Sequence, residues 1–131
     1  MAEWLIAANS GADGSATTVH ADNPRRAFEK MLLLATKSPT APSETTLRRE
    51  IASTVDIIIQ CGLIDGRNVV THIEEITPIR NENGVLTSTT LFEYDRSTGK
   101  HVCKAAPEKR LQEVLRSRGV PINPQDFILN G

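Results

Sequence analysis

Asp65-Gly66 stands between two runs that alternate or stay apolar, Val55 to Leu63 before it and Arg67 to Thr77 after it. An Asp-Gly pair flanked in this way is among the strongest short-range hairpin signals, because both turn residues must take positive φ and glycine does so without steric cost. The chain around it is therefore committed to two antiparallel strands. The first run, rich in isoleucine and valine, suits a strand covered on both faces, and the pair is expected to extend the far edge of the sheet. Asn83-Gly84 repeats the device and leads into Val85 to Tyr94, a third strand. Ser97-Thr98-Gly99 supplies a further bend.

Around this β-rich centre the pattern is helical. Glu3 to Asn9 reads as the last turns of a helix stopped by Gly11, a helix whose start is expected to have been cut away. From Pro24 to Thr36, Ala27, Phe28, Met31, Leu32, Leu34 and Ala35 recur at helical spacing and predict a buried face, with Asn23-Pro24 as cap and first helical residue. Arg25 and Arg26 fall outside that face. Ser38-Pro39-Thr40-Ala41-Pro42 interrupts, and Ser43 caps a second helix with Leu47, Ile51 and Val55 on one stripe and Arg48, Arg49 and Glu50 on the exposed side. Pro107-Glu108 opens a last helix with Leu111, Val114 and Leu115 inward and Gly119 as its stop, and Pro121 to Gly131 forms a short docking tail. The alternation of helices and strands is an α/β pattern.

The stretch from Gly14 to Pro24 carries the chemistry. Gly14 and Ser15 supply a turn, Ala16 to Val19 read as a short strand, and His20 stands at that strand's carboxyl end just before a capped helix. Ligands of open α/β sheets collect at such ends, and helix starts favour anions such as phosphate. Local packing of His20 is the other reading.

Composition narrows the classes. With 131 residues the chain has the size of one domain, and 39% hydrophobic with only 4% aromatic content gives an aliphatic core rather than a platform for stacking bases. Fifteen basic against sixteen acidic residues leave a net charge of −1, so nucleic acid is not an expected partner. Cys61 and Cys103 lack metal or redox spacing and suit reduced thiols in a cytosolic protein. No leader or apolar run of spanning length is seen, and a cytoplasmic location is expected.

Other constellations are weaker. His72 and Glu74 share a strand face and Glu75 takes the other, so the three do not converge on a metal, and salt bridges across the sheet are the expected use. Ser15, His20 and Asp22 are the residue types of a hydrolytic triad without the Gly-x-Ser-x-Gly elbow.

The whole run Gly11 to Ala27 resembles the histidine box of the type II/type IV secretion traffic ATPases. Arg49 to Gln60, Asp65-Gly66-Arg67 and Val70 to Ile76 resemble the blocks that follow in that family, in order and spacing, with the pilus-assembly (CpaF-type) branch most similar. The likeness is specific from Trp4 to Ile79 and weaker to Phe127. Ala12 and Gly62-Leu63 depart from the family's pattern, at positions where relatives carry a polar or histidine residue and an arginine. The family's P-loop is not found: the only Gly-Lys pair, Gly99-Lys100, is followed by His101 and preceded at the first glycine position by Tyr94.

The resemblance implies the C-terminal half of a RecA-like P-loop ATPase core with an antiparallel β extension and a C-terminal helix. Residues 1–78 would be the partial motor domain and 79–131 the extension. It implies a fragment, inactive alone, of an ATPase that powers protein export or pilus biogenesis. His20 would sense a nucleotide phosphate, with Gly14, Ser15, Thr17 and Thr18 shaping its segment. ATP and Mg2+ would serve the whole protein, and no metal site is expected in this chain. Partners would be the upstream half of the ATPase, further copies in a homo-hexameric ring, and inner-membrane platform proteins at the cytoplasmic face. A naturally short, non-enzymatic module that docks on the ATPase or its membrane partners is the alternative. An isolated piece is expected to be marginally stable or to self-associate.

Overall fold

A computed structural model describes residues 1–10, 14–77 and 87–127. The chain divides into two compact units, Met1–Val55 with Thr77–Thr87, and Asp56–Ile76 with Ser88–Gly131. The boundary expected between 78 and 79 lies outside the described residues.

The first unit is helical. Helices α1 (Ala2–Asn9), α2 (Pro24–Thr36) and α3 (Glu44–Thr54) pack on one another. Local chemistry sets their starts. Asn23 Oδ1 accepts the Arg26 N–H at 2.9 Å with Pro24 as the next residue, and Ser43 Oγ accepts the Thr46 N–H at 3.3 Å. Periodicity then sets the packing. Leu5, Ala27, Phe28, Met31, Leu32, Ala35, Leu47, Ile51 and Ala52 are buried, with Phe28 and Ile51 fully so. Each of those large side chains contributes roughly 1.5–3 kcal/mol through the apolar surface it removes from water.

Arg48 corrects the expectation of an exposed, solvated face on α3. Its Nη1 and Nη2 donate to the two carboxylate oxygens of Glu29 on α2, both at 3.1 Å, and Nε donates to Glu44 at 3.2 Å. A planar fork matched to a carboxylate adds orientation to the apolar contact between the helices.

The second unit is built on a four-stranded sheet in the order β1-β2-β3-β4, with β1 (Ile57–Ile64), β2 (Arg67–Thr77), β3 (Thr87–Asp95) and β4 (Lys100–Cys103). The Asp65-Gly66 hairpin forms as the sequence requires, with φ of 49° and 74° at its two turn residues. It sets the antiparallel register Ile57↔Glu75 through Ile64↔Arg67, interrupted by an irregularity at Gln60/Cys61. The bend before Gly99-Lys100 is a hairpin as well. Asp95 accepts from the Ser97 N–H, Ser97 Oγ and Thr98 Oγ1, while Gly99, at φ 67°, donates to the Asp95 carbonyl at 2.8 Å. Its return strand, β4, pairs Phe92 with Cys103 and Asp95 with Lys100.

Helix α4 (Lys109–Ser117) follows, with Leu111 buried and Val114 and Leu115 half-buried. Gly119 ends it at φ 75°: its N–H bonds the Arg116 carbonyl and that of Val120 bonds the Leu115 carbonyl, the two bonds of a Schellman motif. A short 3-10 turn, Pro124–Phe127, brings the Phe127 ring to 6.4 Å from that of Phe92.

Two expectations need correction. Ala16 to Val19 form no strand; residues 15–21 are irregular. Among the described residues no strand lies beside them to take their backbone hydrogen bonds, and one strand alone is not stable in water. The β1 run is not covered on both faces, since exposed and half-buried residues alternate along it up to Ile64. Its position at the end of the strand order gives the physical reason, as β-branched composition reports strand preference and not how many faces are covered. The antiparallel sheet within a mixed α/β chain agrees with the hairpin signals, and the Asn83-Gly84 turn falls outside the described residues.

Candidate functional site

Gly14 opens the segment in the left-handed region, at φ 78°, where a side chain would be strained although the space around it is open. Ser15, Thr17, Thr18 and His20 follow, all exposed. None of their side chains has a hydrogen-bond partner among the described residues. The segment is anchored at its far end instead. Lys30 Nζ donates to the His20 carbonyl at 2.8 Å, Asp22 pairs with Arg26 at 2.8 Å, and Asn23 caps α2.

The structure thus places His20 directly before a capped helix, as the sequence led us to expect, but on an irregular segment rather than on a strand end. Among the described residues no hydrogen bond joins Ser15, Thr17 or Thr18 to the imidazole. The start of α2 is also less open to anions than expected. Pro24 has no N–H, the Arg26 N–H goes to Asn23 Oδ1 and the Ala27 N–H to the Asn23 carbonyl. The Arg25 N–H is the one in this turn without a partner among the described residues.

Lys30 was not singled out by the sequence reading. The signal was present: Asp22, Arg26 and Lys30 are spaced by four, so the helix carries both cations on the side of the preceding segment. Lys30 reaches the His20 carbonyl and Arg26 is paired with Asp22. A neutral imidazole donates one hydrogen bond and accepts one, and three free hydroxyls lie within five residues of it. This is the equipment for holding an anionic oxygen. It is not the equipment for nucleophilic catalysis: Asp22 is engaged with Arg26, and no hydrogen bond joins Ser15, His20 and Asp22.

The acidic residues of β2 have other duties. His72 Nε2 lies 3.8 Å from Glu93 Oε1, and Glu93 Oε2 lies 3.6 Å from Lys104 Nζ, so the imidazole and the ammonium flank one carboxylate. Glu74 accepts from Ser88 Oγ at 2.6 Å and Thr90 Oγ1 at 3.3 Å instead of joining an ion pair. Glu75 is almost completely buried and accepts the Glu108 N–H at 2.8 Å. Burial is the main cause that pushes its carboxyl up from the ordinary range, with the Glu108 hydrogen bond acting against it. Cys61 and Cys103 are free thiols. No helix among the described residues is long and apolar enough to cross a membrane.

No family model matches the chain. Two curated proteins are similar to half of it. The type IV secretion system protein VirB11 of Bartonella henselae is 45% identical over 67 residues, 50% of this chain and 19% of the relative. The VirB11 protein of Bartonella quintana is 42% identical over 67 residues, again 50% of this chain and 19% of the relative. Identity at that level over that length marks common descent, so this chain is related to type IV secretion system proteins. The match spans about a fifth of the length of those relatives.

Proposed function

We propose that this chain is the C-terminal portion of a secretion or pilus-assembly ATPase, of the pilus-assembly branch, and that the segment from Gly14 to His20 is its histidine box. The observation that carries this reading is the 45% identity to a type IV secretion system protein over half the chain. The exposed imidazole and hydroxyls, held next to α2 by Lys30 and Asn23, support it. They fit a phosphate contact because no hydrogen bond among the described residues competes for them.

In this reading His20 donates a hydrogen bond to the terminal phosphate of ATP bound mainly by the upstream half of the motor. It couples the state of the nucleotide to α2 and takes no covalent part in hydrolysis. Magnesium would be held by residues outside this chain, since none of its carboxylates is assigned to it. The chain alone would not turn over ATP. The assembled protein would be a homo-hexameric ring at the cytoplasmic face of the inner membrane, working on platform proteins there.

The test joins this chain in frame to the upstream part of the Bartonella henselae relative and measures ATP hydrolysis, with folding checked by circular dichroism. Turnover is expected in the joined protein, reduced at least tenfold by His20→Ala, and none in the short chain. Hydrolysis by the short chain, or full activity of a folded His20→Ala protein, would overturn the proposal.

A further inference from the structure

Lys30 is a helical cation with no acid at helical reach. Three and four residues away along α2 stand Arg26, Ala27, Leu33 and Leu34, so the pairing that commonly occupies a helical lysine is not open to it. The neighbouring acids are committed elsewhere: Glu29 accepts from both Arg48 Nη atoms at 3.1 Å, and Asp22 pairs with Arg26 at 2.8 Å. The Lys30 ammonium goes to the backbone instead, donating to the His20 carbonyl at 2.8 Å.

That contact needs the chain to double back. Lys30 stands about 9 Å along the helix axis from Pro24, and helical side chains lean toward the N-terminus. Its stem meets the carbonyl because the peptide at His20 lies beside α2 rather than continuing off its end. A bond from an ammonium is charge-assisted, shorter and stronger than a neutral one. The carbonyl belongs to a rigid peptide plane that also holds the His20 Cα, so fixing it sets the direction in which the imidazole leaves the backbone. The Asn23 cap and the Asp22–Arg26 pair hold the chain after His20; of these contacts only that of Lys30 acts on His20 itself.

We propose that Lys30 is a positioning residue: it sets the His20 imidazole for the phosphate by holding the His20 carbonyl, and does not itself contact the nucleotide. Glu29 beside it carries the Arg48 fork, so the turn of α2 that holds His20 is also tied to α3. The inference rests on the reading of His20 as a phosphate contact.

The joined ATPase tests it with three variants: Lys30→Met, which keeps the apolar stem and removes the donors, His20→Ala, and the two changes together. Lys30→Met is expected to lower kcat at least about fivefold while KM for ATP changes less than about twofold, because a misplaced group loses orientation and not binding. The melting temperature should stay unchanged. In the His20→Ala background Lys30→Met should have no further effect, since a residue that acts only through the imidazole has nothing left to set. Lys30→Arg still donates to the carbonyl and should recover most of the lost kcat. If Lys30→Met lowers the melting temperature, Lys30→Gln, one bond shorter, takes its place with the same expectation. A normal kcat in Lys30→Met beside a slowed His20→Ala would overturn this inference and leave the His20 reading standing. So would losses that multiply in the double variant, which would make Lys30 a nucleotide ligand in its own right. A rise in KM with kcat kept, or no recovery in Lys30→Arg, overturns it too. A folded and fully active His20→Ala protein would overturn both readings.

Discussion

The Glu75 carboxylate on β2 accepts the Glu108 N–H at 2.8 Å, so α4 starts on a buried acid contributed by a strand rather than on a cap of its own. No side chain of α4's own cap position bonds its first turn. The acid faces Asp56 and Glu108 as like charges and Arg110 as its cation, and Arg110 in turn bonds Asp56 at 2.9 Å. Burial outweighs the rest and raises its pKa. A group whose pKa is higher in the folded than in the unfolded state adds stability that is full below the unfolded value and is lost as pH rises through the folded one.

From this follows the first prediction. Thermal stability should rise as pH falls from neutral toward the ordinary glutamate range, and Glu75→Gln should flatten that rise and lift the neutral-pH melting temperature. Glutamine keeps an oxygen for the Glu108 N–H and removes the charge. Glu75→Ala removes the acceptor too and should lie below Glu75→Gln by about 1 kcal/mol. Melting curves of the three proteins between pH 5 and 8 check the order.

Asp95 works in the opposite sense. Hydrogen bonds from Ser97, then Thr98, lower its pKa, so its contribution is present above the unfolded value and disappears as pH falls through the folded one. Asp95→Ala should remove a stability loss on the acid side of the profile without altering the Glu75 rise. The two single variants and their double should therefore be additive, as expected for separate sites.

The helix pair offers a third. Arg48→Lys keeps the charge but cannot fork onto both oxygens of Glu29, and should cost about 0.5–1 kcal/mol in denaturant unfolding. A double-mutant cycle with Glu29→Gln should recover most of that cost as coupling, whereas a merely solvated arginine would give none.

Much of this architecture was legible because it rests on local rules. Asn23-Pro24, Ser43, Asp65-Gly66 and Gly119 each demand one backbone geometry, and each took it. The periodic apolar residues of α2 and α3 had to be buried, and all are except Leu34, which is half-buried. What was not legible depends on neighbours distant in sequence. Residues 16–19 have strand-like composition, but a strand needs a partner to bond, and composition does not report one. The edge position of β1 was expected, but its β-branched run could not show that one of its faces would stay open. Glu75 and Arg48 read as surface charges until α4 and α2 were brought against them. At the candidate site, the place of His20 before a capped helix was readable, and the hold of Lys30 on its carbonyl only in retrospect.

The last prediction separates the fold of that segment from its use. His20 presents an exposed imidazole with no partner among the described residues, so His20→Ala should change stability by less than about 0.5 kcal/mol, as surface substitutions do. Asn23→Ala removes the acceptor for the Arg26 N–H and should cost about 1 kcal/mol, while Asn23→Asp keeps the cap and should cost little. If His20 is there for a phosphate, the joined ATPase carrying His20→Ala should lose turnover with its melting temperature intact, and Asn23→Asp should lose neither. A destabilised His20→Ala protein would instead mean that the imidazole packs against the helical unit, and its effect on turnover would then report folding rather than coupling.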